Sequence, residues 1–275
     1  MPWIAFDRAT TAMSAVAAAP PAVFRVKSNE RGEWITMASS VPVDEVVVVR
    51  TPEEFLAMPE DYREIAVRGM IVNTEGELSG ADDYIQVFLP LAPNAEERQV
   101  CAERAVEEYD HYKIGKRILA DIGVDTGYME QQRLADRDLF TGHEFHTCTT
   151  WAERGIFSYI GEETAMVMIS EFAQSSYKPW AEAVRTIILD EKVHIAHGAR
   201  VCRNLARTEE GREELQQGLD RLWPGFNRIF GSSRSERSKL AVRFGLRQTT
   251  NGEARDIWRA KVTPRIENLG LKVPE

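Results

Sequence analysis

Two segments of the chain place a glutamate and a histidine three residues apart on the apolar stripe of a helix: Glu108 and His111 in AVEEYDHYKIG, and Glu191 and His194 in ILDEKVHIAH. At helical spacing Val184, Ile188, Ile195, Val201 and Leu205 share a face with Glu191 and His194, while Cys101, Ala105, Gly115 and Ile118 share one with Glu108 and His111. Burying an unpaired carboxylate costs several kcal/mol, so something must neutralise these acids. A metal pair does this and uses both ligand types. Two Glu-x-x-His pairs, together with one Glu from each of two other helices, are the ligand device of ferritin-like two-metal bundles.

The two missing carboxylates can be sought by height. Each helix rises about 1.5 Å per residue, so in an antiparallel hairpin residues equally far from the turn lie level. The turn LPLAPN centres near residue 92, with Glu108 sixteen residues after it and Glu77 fifteen before it; Glu75 is close enough to serve instead. The turn near Tyr177 has Glu191 fourteen residues after it and Glu162 fifteen before it. Glu162 shares its helix stripe with Trp151, Gly155, Tyr159, Met166 and Ile169. Four carboxylates and two neutral imidazoles balance two divalent ions. The donor set suits two irons, with manganese as the alternative, and it lacks the thiolates of structural zinc. Glu107 and Asp190, each just before a ligand Glu, are placed to take the second ring N–H of the histidines.

Other chemistry-bearing residues are weaker signals. His143, His146 and Cys148 in TGHEFHTC have no fourth ligand and read as loop or surface residues, and His197 as a neighbour of the site or a core residue. Trp151, Phe157, Tyr159 and Phe172 read as packing aromatics, some of which could line a substrate channel. The basic residues Lys113, Lys116, Arg117, Arg200 and Arg203 suit either a channel mouth that binds phosphates or solvated helix faces.

The elements needed to position six ligands are four long helices, and the chain supplies them. TPEEF carries Thr51 at an N-cap, Pro52 at the first helical position and Glu54 at the capping-box position; Asn94 and Glu97 repeat that pattern. Helical segments run to about Phe88, from Asn94, through WAERGIFSYIGEETAMVMISEF, and on after SSYKP. The expected fold is all-α, a ferritin-like four-helix bundle with its metal-binding core at about residues 59 to 206. A helical extension follows over 207 to 275, broken at WPGF, at FGSS and at the proline near the end. Residues 1 to 50 read as a mobile leader and a small β-rich element, from the runs FRVKS, WITMA and EVVVVR.

The 275 residues, 43% hydrophobic and 28% charged, are enough for a full core. A formal net charge of −9 argues against nucleic acid or anionic membranes as partners, and no run is long and apolar enough to span a bilayer. Three widely spaced cysteines form no disulfide framework and no CxxC site, which points to a reducing, cytoplasmic setting.

The chain also resembles the catalytic subunit of the phenylacetyl-CoA epoxidase family over roughly residues 57 to 275. MPEDYREIAVRGMIVNTEGELSG resembles the first ligand helix and places Glu77, rather than Glu75, at the ligand position. WAERGIFSYIGEETA is similar to the third helix, with Glu162 as its acid, and TNGEARDIWRAKVTPRIENLGLKVPE resembles the tail. The second helix departs from the family's Asp-Glu-Ala-Gly-His: here EEYDH puts Glu107 for the Asp, with bulkier Tyr109 and Asp110. The resemblance implies a di-iron monooxygenase that inserts one atom of O2 into an aromatic or unsaturated acid, carried as a CoA thioester. It also implies a separate reductase, since the chain has no Gly-rich dinucleotide loop and no iron-sulfur spacing, and a related helical subunit in a homo- or hetero-oligomer. Two other readings use the same fold: a ferroxidase or iron-storage protein, and a non-catalytic partner subunit, which would be expected to lack ligands.

Overall fold

The computed structural model describes residues 47–137 and 145–275. Among these the architecture is helical throughout. The β-rich runs over 22 to 46 lie outside the described residues. The segment after them contributes a single parallel bridge, in which the Val49 N–H donates to Ser176 O at 2.9 Å and the Lys178 N–H to Val49 O at 2.8 Å. This ties the entering chain to the turn before the last long helix of the core.

Helix α1 (Pro52–Leu56) starts where Thr51 Oγ1 accepts the Glu54 N–H. It is one turn long, and Glu54 accepts from the Arg50 N–H rather than from the cap residue. Helix α2 (Glu60–Asp83) continues through a π-helical turn, Tyr84–Phe88, into the short α3 (Leu89–Leu91). Helix α4 (Ala95–Asp121) begins at Asn94, whose side chain accepts the Glu97 N–H at 2.9 Å. The expected reciprocal bond from Glu97 does not form: its carboxylate is taken by His197 Nε2 at 2.7 Å and by Arg200 at 2.8 Å, and the charged guanidinium binds a carboxylate more strongly than a backbone amide does.

After the short α5 (Gly127–Gln131), α6 (Trp151–Ile156) opens with the capping box of Thr150 and Glu153. It passes through a second π-helical turn, Phe157–Gly161, into α7 (Glu162–Phe172). Helix α8 (Lys178–Leu205) completes the core, which pairs α2 with α4 and α7 with α8. Gly198 lets α8 lie against the π turn: a Cβ there would stand 2.6 Å from Ser158 C and Tyr159 N.

The extension consists of α9 (Glu209–Ile229), α10 (Glu236–Arg243) and α11 (Asn251–Asn268). Two expected breaks do not occur, since Pro224 lies inside α9 and Pro264 inside α11. A mid-helix proline costs about 3 kcal/mol. Both prolines are on exposed faces, while Leu222, Trp223 and Phe226 beside the first, and Val262 and Ile266 beside the second, are buried. At about 1.5 to 3 kcal/mol for each large apolar side chain, that burial outweighs the lost bond. The break at FGSS does occur. One apolar cluster, including Trp258, Phe226 and Phe88, joins the core to α9 and α11, and another, including Phe55, Tyr62, Tyr177, Trp180 and Ala241, joins it to α10. No helix among the described residues is long and apolar enough to cross a membrane.

Candidate metal centre

The core helices bring buried acids and imidazoles together with little water to solvate them. Glu77 on α2, Glu108 and His111 on α4, Glu162 at the start of α7, and Glu191 and His194 on α8 are all buried. Glu77, Glu108, His111 and Glu191 each offer a donor atom, and these atoms lie within 4.8 Å of one another. His111 Nδ1 is 3.3 Å from Glu77, 3.6 Å from Glu108 Oε2 and 3.7 Å from Glu191. The other oxygen of Glu108 lies 3.2 Å from His194 Nδ1, so this carboxylate stands between the two rings, whose centroids are 6.4 Å apart. Glu75, the other candidate on α2, is buried but outside this group.

The surrounding bonds orient the acids and rings. His111 Nε2 lies 3.2 Å from Asp190, and His194 Nε2 lies 2.8 Å from Glu107. Each ring thus turns its far nitrogen to a carboxylate on the opposite helix and its Nδ1 inward. The amide of Asn73 donates to Glu77 Oε1 at 2.9 Å. Glu162 Oε1 accepts from Tyr84 Oη at 2.8 Å and from Ser158 Oγ at 3.1 Å. Both donors are in the π-helical turns, where one extra residue per turn re-aims the side chains. Neither Tyr84 nor Ser158 carried a signal in the sequence, because a π turn leaves no periodicity of its own.

Three buried atoms at the centre have no hydrogen-bond partner among the described residues: His111 Nδ1, His194 Nδ1 and Glu162 Oε2. They are the atoms a metal would take, and unsatisfied groups of this kind are costly in a core. Carboxylate and imidazole donors with no thiolate fit iron or manganese. Titration behaviour agrees with a site built for cations. Burial raises Glu77 to about 7 and holds Glu191 well above, and Glu162 above, the usual carboxylate range. Burial pushes Glu108 the same way, but the two imidazoles beside it outweigh it and hold Glu108 below that range.

A cavity of about 470 Å³ opens on this cluster. Its walls include Gly69, Met70 and Asn73 of α2, Ala165, Met168 and Phe172 of α7, and Phe145 and Phe157. Of the four aromatics weighed for a channel, Phe157 and Phe172 line it, whereas Trp151 and Tyr159 do not. The five basic residues considered for its mouth are not among the lining residues either; Arg68, Arg237 and Arg247 are. His143 lies outside the described residues. His146 Nδ1 sits 2.7 Å from the Asp83 carboxylate and Cys148 accepts from Arg221, so neither joins a metal set among the described residues. His197 bridges Arg154 and Glu97 in the core, one turn of α8 beyond His194.

Residues 52–275 match the family model described as Phenylacetic acid catabolic protein. The chain belongs to the phenylacetic acid catabolic protein family. A relative in that family, a 1,2-phenylacetyl-CoA epoxidase subunit of Escherichia coli (strain K12), is 23% identical over 221 residues, which cover 79% of this chain and 71% of that protein. The matched region begins at α1 and takes in every element that carries the centre. For a member of this family, EEYDH places Tyr109 where its hydroxyl donates to Asp82 at 2.7 Å, and Asp110 where it pairs with Lys113 at 2.8 Å. Both side chains point away from the centre toward such partners, so the bulkier residues leave it clear.

Proposed function

We propose that this member of the family is an O2-dependent di-iron monooxygenase, with Glu77, Glu108, His111, Glu162, Glu191 and His194 as the ligands and an aromatic or unsaturated acid, or its CoA thioester, as the substrate. The observation that carries the reading is three unpartnered buried donor atoms set among four carboxylates, at the wall of an apolar cavity. Two irons held there would supply the electrons and Lewis acidity needed to activate O2. The chain's own contribution is placement. Glu108 spans the two imidazoles, Asp190 and Glu107 hold the rings with Nδ1 inward, and Tyr84 and Ser158 fix Glu162 so that its second oxygen faces the centre. The apolar walls keep water from the reacting end of the substrate.

Electrons have to come from a separate reductase. The relative's name as one subunit of an epoxidase supports assembly with other chains. Exposed Val106 on α4, with Leu189 and Val193 on α8, offers apolar surface close in sequence to the ligands and supports a helical partner there. The test is anaerobic loading with ferrous iron, reduction, and exposure to oxygen-18 gas with a panel of aromatic acids and thioesters. Label in an epoxide or hydroxyl product supports the reading. Iron oxidation with label only in water would move the assignment to iron handling.

A further inference from the structure

The cavity extends away from the centre into the apolar cluster that holds Tyr62 and Trp180. Along α2 its wall is Glu77, Asn73, Met70 and Ala66, and along α7 it is Glu162, Ala165, Met168 and Phe172. At the helical rise both walls run about 15 Å from the ligands. They stay together at the far end, since a Cβ on Gly69 would stand 3.7 Å from the Phe172 ring. The ring of Trp180 packs on that of Phe172 with centroids 5.9 Å apart, and Tyr177 and Leu246 complete the closure. Ala66, Met70, Phe172, Tyr177, Trp180 and Leu246 are all buried. The side open to solvent is a different one: there the lining includes exposed Ser232 and half-buried Arg68 and Arg237.

The closed end presents carbon. Tyr177 Oη and Trp180 Nε1 are shut off from water, so these rings turn their apolar parts to the cavity. Arg247, beside Leu246, offers no free donor there: Nη1 donates to Asn251 Oδ1 at 2.7 Å, and Nε and Nη2 are shut off from water as well. The Ser175 hydroxyl also lines the cavity and already accepts the Tyr177 N–H at 3.3 Å, and a single hydroxyl is fewer than the roughly two to four partners a buried water needs. Space of this kind stays dry and takes small apolar guests. O2 is such a guest. It is also the second substrate of the proposed reaction, and it has to reach the centre while an organic substrate fills the open side. We propose that this apolar end is a holding site for O2, from which the gas passes along the Met168 and Ala165 face of α7 to the metals. The proposal rests on the oxygenase reading for the use made of the O2; the holding itself belongs to the cavity and needs no metal.

The first measurement uses xenon, an apolar probe slightly larger than O2, on the metal-free full-length protein. Diffraction from crystals under xenon pressure should place the atom in contact with Met70 and Phe172, and xenon-129 NMR should give its affinity. Gly69→Leu extends a side chain into this end from a wall position where a Cβ makes ordinary contact, and leucine favours a helix more than glycine does. It should weaken xenon binding roughly tenfold or more by filling the space, while Gly69→Ala, which adds only the Cβ, stays near the parent. Unchanged circular dichroism and unchanged manganese binding in both variants show that fold and centre are intact. The second measurement follows oxidation of the loaded, reduced protein by stopped flow at several O2 concentrations. Gly69→Leu should need several-fold more O2 for half the maximal rate, with the maximal rate retained. Ordered water in place of xenon, xenon bound elsewhere, or an O2 dependence that Gly69→Leu leaves unmoved overturns the proposal. The oxygenase reading fails separately: xenon at this end and a Gly69-sensitive O2 dependence, with oxygen-18 only in water, would leave the holding site standing and remove the organic substrate.

Discussion

Loading the centre with metal at pH 7 should expel more than two protons per protein. In the metal-free protein, burial works to lower both imidazoles, but the carboxylates around them prevail: Glu108 and Glu77 close to its Nδ1 raise His111 to about 12, and the bond with Glu107 and the nearby Glu108 raise His194 to about 11. Both rings are therefore cationic at pH 7, and each must release one proton to turn a lone pair to a metal. Glu77, raised by burial to about 7, is half protonated there and releases about half a proton more. Metal affinity should accordingly fall as the pH falls. With two protons exchanged, one pH unit changes the equilibrium about a hundredfold, or roughly 2.7 kcal/mol. Isothermal calorimetry of manganese or anaerobic ferrous iron binding, repeated in buffers of different ionisation enthalpy, counts the protons directly. The same groups set the pH response of the metal-free fold. The Glu77 contribution is present below about 4.5 and lost as the pH rises through about 7; the imidazole contributions are present below about 6.5 and lost as the pH rises toward 11 and 12. Stability of the metal-free protein should therefore decline from pH 5 to pH 9. Proton release near zero, with affinity indifferent to pH, would show that metal does not displace these protons.

Three substitutions test the placement of the side chains. Glu108→Ala removes the carboxylate between the rings, and metal analysis should show at most one ion bound while far-ultraviolet circular dichroism stays close to the parent spectrum. Tyr84→Phe takes the 2.8 Å donor from Glu162 and should lower metal affinity or turnover by about 10- to 100-fold with helix content retained; parent-like values for both would mean that Ser158 alone orients the acid. Gly198→Ala puts a Cβ 2.6 Å from the backbone of the π turn, so urea denaturation should show a loss of about 1 to 3 kcal/mol as α8 is pushed from Ser158.

The parts of the centre that were legible in the sequence are those governed by local repetition. His111 follows Glu108, and His194 follows Glu191, at a spacing that only a helix makes adjacent, and Glu77 and Glu162 could be placed by counting residues from two turns because helical rise is constant. At Pro224 and Pro264 a local rule about proline meets the burial of Trp223, Phe226 and Ile266, and the burial prevails. At Glu97 a local cap competes with His197, one hundred residues away along the chain, and loses.

Arg247 lies further still from what local pattern can show. It follows a short helix in a loop, with no periodic stripe and no motif around it, and in the sequence it is one arginine among many. Its burial depends on Glu171 receiving the next two backbone amides, a contact across 77 and 78 residues, and its place at the cavity depends on α7 running from the centre to that loop. The cluster of acids and imidazoles can be read from helix periodicity because each helix carries its own members. The cavity wall is set where distant segments meet: Lys113, Lys116, Arg117, Arg200 and Arg203, which the sequence left open between a channel mouth and solvated helix faces, do not line it, and Arg247 does.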